Sequence, residues 1–136
     1  MEIDVRGPRF GAAVTTVVLA VVLVTGSVWL LAAQAVLFAL GAAAGVQKSP
    51  YGWVFRTLVR PRIGPPPATE DAAPPRFAQA VGLVFSLIGL IGYGAGVQWL
   101  GLAATACALA AAFLNAAFAY CLGCELYLLL KRVTTA

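Results

Sequence analysis

Two cysteines near the end of the chain are the residues best suited to chemistry. Cys121 and Cys124 form a C-x-x-C motif, and Glu125 follows directly. Two thiols at this spacing can exchange electrons with another dithiol or carry a sulfur atom, and a neighbouring carboxylate can accept a proton. At about 100° per residue, all three side chains would share one face of a helix. We therefore predict that Cys121, Cys124 and Glu125 form the catalytic group.

The alternative for the same residues is structural. Buried cysteines pack as small apolar side chains. In a membrane protein, Glu125 can then extend to the lipid headgroups or pair with an arginine. The charge pattern places both cysteines inside one long helix, which offers no helix N-terminus to stabilise a thiolate. A structural disulfide is disfavoured there, because relaxed disulfide geometry is difficult within a helix and the cytoplasm is reducing. Both interpretations stay open from the sequence.

The remaining composition limits the chemistry further. The chain has no histidine, which excludes Ser-His-Asp catalysis and histidine metal motifs. One C-x-x-C supplies half of a four-coordinate metal site, so a complete site would need the cysteines of a second copy. Cys107 would lie about 21 Å from Cys121 along the helix, too far for direct exchange. Asn115 would lie on another face. We expect no metal and no cofactor.

The hydrophobicity of the chain indicates a lipid environment. Hydrophobic residues make up 62% of the 136 residues and charged residues 10%, against about 45–50% and about 25% in soluble domains. A chain of this size cannot bury so much apolar surface in one aqueous core. The sequence therefore predicts a single integral membrane domain over residues 1–136.

Two long segments without ionisable acids or bases define the predicted membrane spans. The first runs from Phe10 to Gln47 and the second from Phe77 to Cys124. Each is long enough for two crossings of a hydrocarbon core about 30 Å thick. We predict an all-α membrane protein with four transmembrane helices, arranged as two helical hairpins, at about 10–26, 28–46, 77–96 and 101–130.

The basic residues predict the orientation. They occur before the first helix (Arg6, Arg9), between the two hairpins (Lys48, Arg56, Arg60, Arg62, Arg76) and after the fourth helix (Lys131, Arg132). By the positive-inside rule, both termini and the hinge at about 48–76 face the cytoplasm. Attraction to anionic lipid accounts for the net charge of +4, so we expect the lipid bilayer as a partner and no nucleic acid.

The hinge contains a predicted interfacial helix at about 50–60. Ser49 and Pro50 are typical of a helix start, and the following apolar residues recur at helical spacing. We predict that five residues of this hinge bind lipid or a partner: Tyr51, Trp53, Arg56, Arg60 and Arg62. The proline-rich residues 64–75 are expected to form an extended linker.

A short sequence repeat accompanies the two hairpins. Gly7-Pro8-Arg9-Phe10 recurs as Pro74-Pro75-Arg76-Phe77, at an offset of 67 residues. In both copies a proline falls in the first helical turn, where its missing N–H costs nothing. The repeat is explained either by duplication of a hairpin or by two cytoplasmic helix starts with similar requirements.

Several segments together resemble the bacterial membrane family catalogued as domain of unknown function 4395. They are DVRGPRF (4–10), SPYG (49–52), RPR (60–62), PRFAQ (75–79), FLNAAF (113–118) and CLGCELY (121–127). The resemblance implies an integral protein of a bacterial inner membrane and no particular activity. It also implies an association with thioredoxin-like and rhodanese-like proteins, which favours thiol or sulfane-sulfur chemistry.

Three functions follow from these observations. The first is a thiol-redox or sulfane-sulfur relay that uses the C-x-x-C with a cytoplasmic thioredoxin-like or rhodanese-like partner. The second is a non-enzymatic scaffold or assembly subunit that binds proteins through the basic hinge. The third is a transport subunit that acts as a homo-oligomer. The sequence leaves open whether the protein is an enzyme.

Overall fold

Helices make up nearly all of the structure, a computed structural model that describes residues 2–4, 6–45, 49–64, 69–71, 73–118 and 120–135. The predicted all-helical class is confirmed, with one pair of three-residue strands in addition. The elements in chain order are β1 (Glu2–Asp4), α1 (Arg6–Thr25), α2 (Val28–Ala44), α3 (Pro50–Val54), a π-helical turn (Phe55–Val59), α4 (Arg60–Ile63), β2 (Thr69–Asp71), α5 (Ala73–Gly94), α6 (Gln98–Phe118) and α7 (Leu122–Thr135).

Four helices form the bundle, and each packs against two others. Helix α1 packs mainly on α6, α2 packs mainly on α5, and α5 also packs on α6. The contact between α1 and α2 is smaller than these three contacts, although the two helices are joined by a short turn at Gly26 and Ser27. The helices of the first hairpin therefore pack more on the second hairpin than on each other. Leu19, Val22, Leu31 and Ala108 form the buried core.

Two arginines of the sequence repeat cap helix C-termini in the same way. The Arg9 guanidinium donates a hydrogen bond to the carbonyl of Ala116 in α6, at 3.0 Å. Nε of Arg76 donates to the carbonyl of Ala42 in α2, at 2.6 Å, and a terminal nitrogen of Arg76 donates to Ala43. The last carbonyls of a helix lack intrahelical partners and carry the negative end of its dipole. Each arginine thus joins the start of one hairpin to the end of the other.

Three described helices, rather than the predicted four, are long and apolar enough to cross a membrane: α1, α5 and α6. Helix α2 is apolar but has 17 residues, or about 26 Å, against a core of about 30 Å. Helices α1 and α5 begin before the predicted residues 10 and 77, because prolines in the first turn are compatible with helix.

The predicted fourth helix at 101–130 is wrong as one continuous helix. Helix α6 ends at Phe118 and α7 begins at Leu122. After the break, Gly123 lies against Ala78 of α5, where a Cβ on Gly123 would be 2.5 Å from the Ala78 Cβ. The close approach of α7 to α5 depends on this glycine.

The segment 64–75, predicted to be an extended linker, contains a paired strand and the start of a helix. Residues Thr69–Asp71 pair antiparallel with Glu2–Asp4, in the register Glu2–Asp71, Ile3–Glu70 and Asp4–Thr69, and α5 begins at Ala73. Residues 65–68 and 72, together with 46–48, lie outside the described residues. The paired strands place the starts of α1 and α5 at one end of the bundle.

We expect Gly92→Ala to destabilise the second hairpin. A Cβ at Gly92 would lie 2.5 Å from the backbone nitrogen of Gly101, which cannot rotate away. The overpacking should cost about 1–3 kcal/mol, measured by dodecyl sulfate unfolding of the protein in mild detergent. The matched control is Gly94→Ala, because a Cβ there meets nothing within 4 Å. Equal stability of the two variants would contradict the prediction.

Candidate functional site

The two motif cysteines lie at the start of α7 and form a disulfide. The bond joins Cys121 to Cys124, whose Cα atoms are 5.1 Å apart. The expectation that a structural disulfide is disfavoured in the middle of a helix does not apply, because the motif spans the start of α7, with Cys121 before the helix and Cys124 in its first turn. Cys121 precedes the first residue of α7, and its carbonyl accepts a hydrogen bond from the N–H of Glu125 at 2.9 Å.

Cys121 occupies the N-cap position of α7. Its Sγ accepts a hydrogen bond from the backbone N–H of Cys124, at 3.1 Å. The first N–H groups of a helix have no intrahelical partner, and the helix dipole is positive at this end. A thiolate at Cys121 would receive both the hydrogen bond and the favourable dipole. The prediction that no helix N-terminus supports the cysteines is therefore wrong.

The start of α7 is fixed against α5 by two contacts. Gly123 meets Ala78, and the ring of Tyr127, one turn later, lies 5.6 Å from the ring of Phe77, centroid to centroid. Cys121 and Cys124 are half-buried between these contacts and the surface. The disulfide is thus held in place and remains partly accessible.

Glu125 lies beside the disulfide but outside the bundle. Its side chain is exposed, and so are most side chains of the following turns of α7. Because the helix breaks before Cys121, the predicted alignment of Glu125 with both cysteines on one continuous helix 101–130 does not hold. The chain order still places the Glu125 carboxylate next to Cys124, at the accessible side of the site.

Tyr51 faces the bundle, in contrast to the prediction that it contacts lipid or a partner. Its hydroxyl donates a hydrogen bond to Oε1 of Gln34 at 2.7 Å, and Nε2 of Gln34 donates to Oγ1 of Thr15 at 3.4 Å. Gln34 is almost completely buried. The Tyr51–Gln34–Thr15 chain of hydrogen bonds therefore links α3 to α2 and α1.

The other predicted hinge residues remain near the surface. Trp53, Arg56 and Arg62 are exposed, and Arg60 is half-buried. Helix α3 and the π-helical turn pack on α1, and Arg6 donates to the carbonyl of Gly64 at 2.9 Å. Helix α7 packs mainly on α5. The structure thus does not bring the hinge arginines together with the cysteines.

The starts of α3 and α7 match each other in detail. Ser49 is the N-cap of α3, and its Oγ accepts from the N–H of Gly52, as Cys121 accepts from Cys124. Phe55, six residues after Ser49, lies 5.9 Å from Phe10, centroid to centroid. Tyr127, six residues after Cys121, makes the matching contact with Phe77. Residues 49–52 and 121–124 therefore hold equivalent places in the two halves.

Metal binding receives no support from the described part of the chain. Among those residues, no group of three or more histidine, cysteine, aspartate or glutamate side chains is arranged to hold a metal ion. The chemistry available to the site is that of two thiols, a carboxylate and the N-terminus of α7.

Tyr51→Phe should destabilise the protein by about 1–3 kcal/mol, because it leaves Oε1 of buried Gln34 without its donor. Burial raises the pKa of the Tyr51 phenol, and its hydrogen bond with Thr15 opposes the rise. The unfolded chain ionises near pH 10, so the stability from Tyr51 is present below that pH and is lost as pH rises toward the folded pKa.

Unfolding of the wild type and the variant at neutral pH and above pH 10 tests this expectation. The matched control is Tyr120→Phe, because Tyr120 is exposed. An equal alkaline loss of stability in wild type and Tyr51→Phe would contradict the role assigned to burial.

These features define an all-helical bundle with three helices suited to crossing a membrane and a cysteine pair at the start of its last helix. The sequence profile of the family described as "Domain of unknown function (DUF4395)" matches residues 3–132. The chain belongs to this family, which confirms the resemblance found in the sequence. No curated protein and no solved structure matches the chain.

Proposed function

We propose that the protein is an integral membrane thiol-redox relay in which Cys121 and Cys124 alternate between disulfide and dithiol. The observation that carries the proposal is the position of the pair, at the N-terminus of a docked helix and partly accessible. A cytoplasmic thioredoxin-like protein is the electron donor in this scheme. Transfer of sulfane sulfur from a rhodanese-like protein would use the same thiols.

The proposed topology has four membrane crossings by α1, α2, α5 and α6, as two hairpins. The grouping of basic residues at the helix starts, in the hinge and after α6 supports a cytoplasmic location of both termini. In this arrangement α3, α4 and α7 lie at the cytoplasmic interface. Exposed leucines on α7, including Leu128 and Leu129, suit contact with lipid.

The equivalence of Ser49 and Cys121 supports a redox role for the cysteine. Serine is a preferred N-cap residue, whereas sulfur is a weak hydrogen-bond acceptor. A cap alone would be better served by a second serine. Cys121 at the N-cap, together with Cys124 at the position that Gly52 holds in α3, provides a dithiol, which helix capping does not require. We infer that duplication of one helix–helix–interfacial-helix unit produced both halves, and that the second half acquired the dithiol.

Dithiol exchange with the partner proceeds in two steps. A partner thiolate attacks Sγ of Cys124, the Cys121–Cys124 bond breaks, and Cys121 leaves as the thiolate that the α7 N-terminus stabilises. A second partner thiol then attacks the mixed disulfide, which releases Cys124 and leaves the partner oxidised. Two electrons and two protons pass to the pair, and Glu125 carries a proton at the exposed side.

The test uses the full chain in lipid nanodiscs. Dithiothreitol is added to the folded protein, free thiols are alkylated, and each cysteine is read by mass spectrometry. We expect Cys121 and Cys124 to become alkylated together without unfolding. Oxidised glutathione added before the alkylating reagent should restore the disulfide and protect both cysteines. A pair that reacts only after denaturation would overturn the proposal.

We also expect the two thiols to differ in reactivity. Cys124→Ser leaves Cys121 at the N-cap of α7, whereas Cys121→Ser leaves Cys124 inside the first turn. Because the thiolate is the nucleophile, the variant that retains Cys121 should react faster with iodoacetamide at neutral pH. Both variants also carry Cys107→Ser, so that one thiol is observed. Equal rates would contradict the assignment of Cys121 as the stabilised thiolate.

A further inference from the structure

A cavity of about 460 Å³ lies next to the disulfide. Helices α1, α5 and α6 form most of its wall, and the start of α7 forms one end, where Cys121 and Gly123 line it. Cys107 also lines the cavity. Cys107 and Cys121 therefore share a cavity, although the sequence analysis placed them too far apart for direct exchange. Its volume is within the range of about 300–1,000 Å³ that is typical of small-molecule sites.

The cavity lies between the two halves of the bundle. Its lining includes three residues of α1 and their counterparts in α5 at an offset of 67 residues: Pro8, Ala12 and Thr15, and Pro75, Gln79 and Gly82. Each set falls on one helix face, at intervals of four and three residues. The cavity therefore belongs to the architecture of the bundle and is not a local packing defect.

The lining selects the chemical class of a ligand. Most of the wall is alanine, phenylalanine and other apolar side chains, and none of the lining residues is charged. The polar groups are uncharged, namely the amides of Gln79 and Asn115 and the hydroxyl of Thr15. A ligand must therefore be lipophilic and neutral, with oxygen atoms that accept hydrogen bonds from amides. Phosphates and carboxylates would be desolvated without a counter-charge.

We propose that this cavity binds the ring of a lipid-soluble quinone, which oxidises the Cys121–Cys124 dithiol. The inference rests on the proposed function, and it replaces the expectation that no cofactor takes part. A dithiol that returns to the disulfide must give up two electrons and two protons. A quinone accepts both without becoming charged and has two carbonyl oxygens for the amides.

The oxidation balances within the site. The Cys121 thiolate and the Cys124 thiol form the S–S bond, and two electrons pass to the quinone ring. The Cys124 proton and one proton taken up from water convert the two carbonyls to hydroxyls. Quinol and disulfide are the products, one of each.

The experiment uses the full chain with Cys107→Ala in nanodiscs. The protein is first reduced, and the reductant is then removed. Decylubiquinone is the probe, because its fully substituted ring does not add to thiols. We expect one quinol per disulfide formed. Absorbance measures the quinol, and alkylation with mass spectrometry measures the disulfide. Ala112→Phe fills the cavity and should slow the reaction by about tenfold or more. The matched control is Ala103→Phe, at an exposed α6 position outside the lining.

A second variant and a second reaction separate the possible failures. Asn115→Leu preserves size and removes an amide, and it should also slow the quinone reaction. Exchange with dithiothreitol and oxidised glutathione should stay at the wild-type rate in both variants, which also reports that they are folded. Exchange without quinone oxidation would overturn the quinone site and leave the relay intact. Failure of both reactions would overturn the relay itself.

Discussion

Serine in place of either Cys121 or Cys124 is expected to abolish dithiol exchange completely, whereas Cys107→Ser leaves the rate unchanged. Exchange requires one sulfur to be attacked and the other to leave, so a variant with a single thiol has no disulfide that the reduced thioredoxin can attack. Cys107 takes no part, because the motif pair is already joined. The measurement is the rate at which a reduced bacterial thioredoxin is oxidised by the full chain in nanodiscs.

The serine variants are also expected to keep the fold. Serine is a preferred N-cap residue and Ser49 already caps the equivalent helix, so Cys121→Ser should retain the start of α7. Unfolding in dodecyl sulfate, starting from the reduced proteins, provides the check. Full exchange activity in Cys121→Ser or Cys124→Ser would refute the relay.

Gly123→Val is expected to separate the start of α7 from α5. A Cβ at this position would lie 2.5 Å from the Cβ and 2.6 Å from the Cα of Ala78, and the Cα belongs to a backbone that cannot rotate away. We expect a loss of about 1–3 kcal/mol of stability. Oxidation of the dithiol by decylubiquinone should fall by about 100-fold, the effect of displacing a reacting group by about 1 Å.

The same displacement should make the disulfide more accessible to solvent. Reduction by dithiothreitol is therefore expected to become faster while quinone oxidation becomes slower. The control is Gly94→Val, because a Cβ at Gly94 meets nothing within 4 Å. If Gly123→Val left both rates at those of Gly94→Val, the docking of α7 on α5 would not position the cysteines.

Much of the fold follows from local sequence. The long segments without charged residues predict the all-helical class. Gly26 and Gly96, both with positive φ, lie at the turns within the hairpins. The length of α2 was overestimated, because the apolar pattern continues to Val46 while the helix ends at Ala44. Apolar character alone does not mark where a helix ends.

The break between α6 and α7 was missed because its cause is tertiary. No proline interrupts the segment, and a glycine within an apolar segment is tolerated in a helix. What separates α7 is the contact of Gly123 with Ala78, a residue about 45 positions earlier in the chain. The repeat gave no signal of the break, because its offset of 67 residues aligns Ser49 with Ala116, whereas Ser49 and Cys121 are 72 residues apart.

The cavity was not predicted for a related reason. Angles on a single continuous helix placed Asn115 away from Cys121, yet both line the same cavity once α7 turns back toward α5. Gln79 and Thr15 join them from two other helices. Sites built from several helices depend on how those helices pack, which residue spacing within one helix does not encode.

The most direct test of the relay is the state of Cys121 and Cys124 in native membranes. Inside-out and right-side-out vesicles would be treated with an impermeant maleimide, before and after dithiothreitol, and each cysteine would be read by mass spectrometry. We predict a disulfide or persulfide at the pair that yields two reactive thiols on the cytoplasmic side. Thiols that stay reduced and unreactive on both sides until the protein is denatured would contradict the account and make Cys121 and Cys124 packing residues.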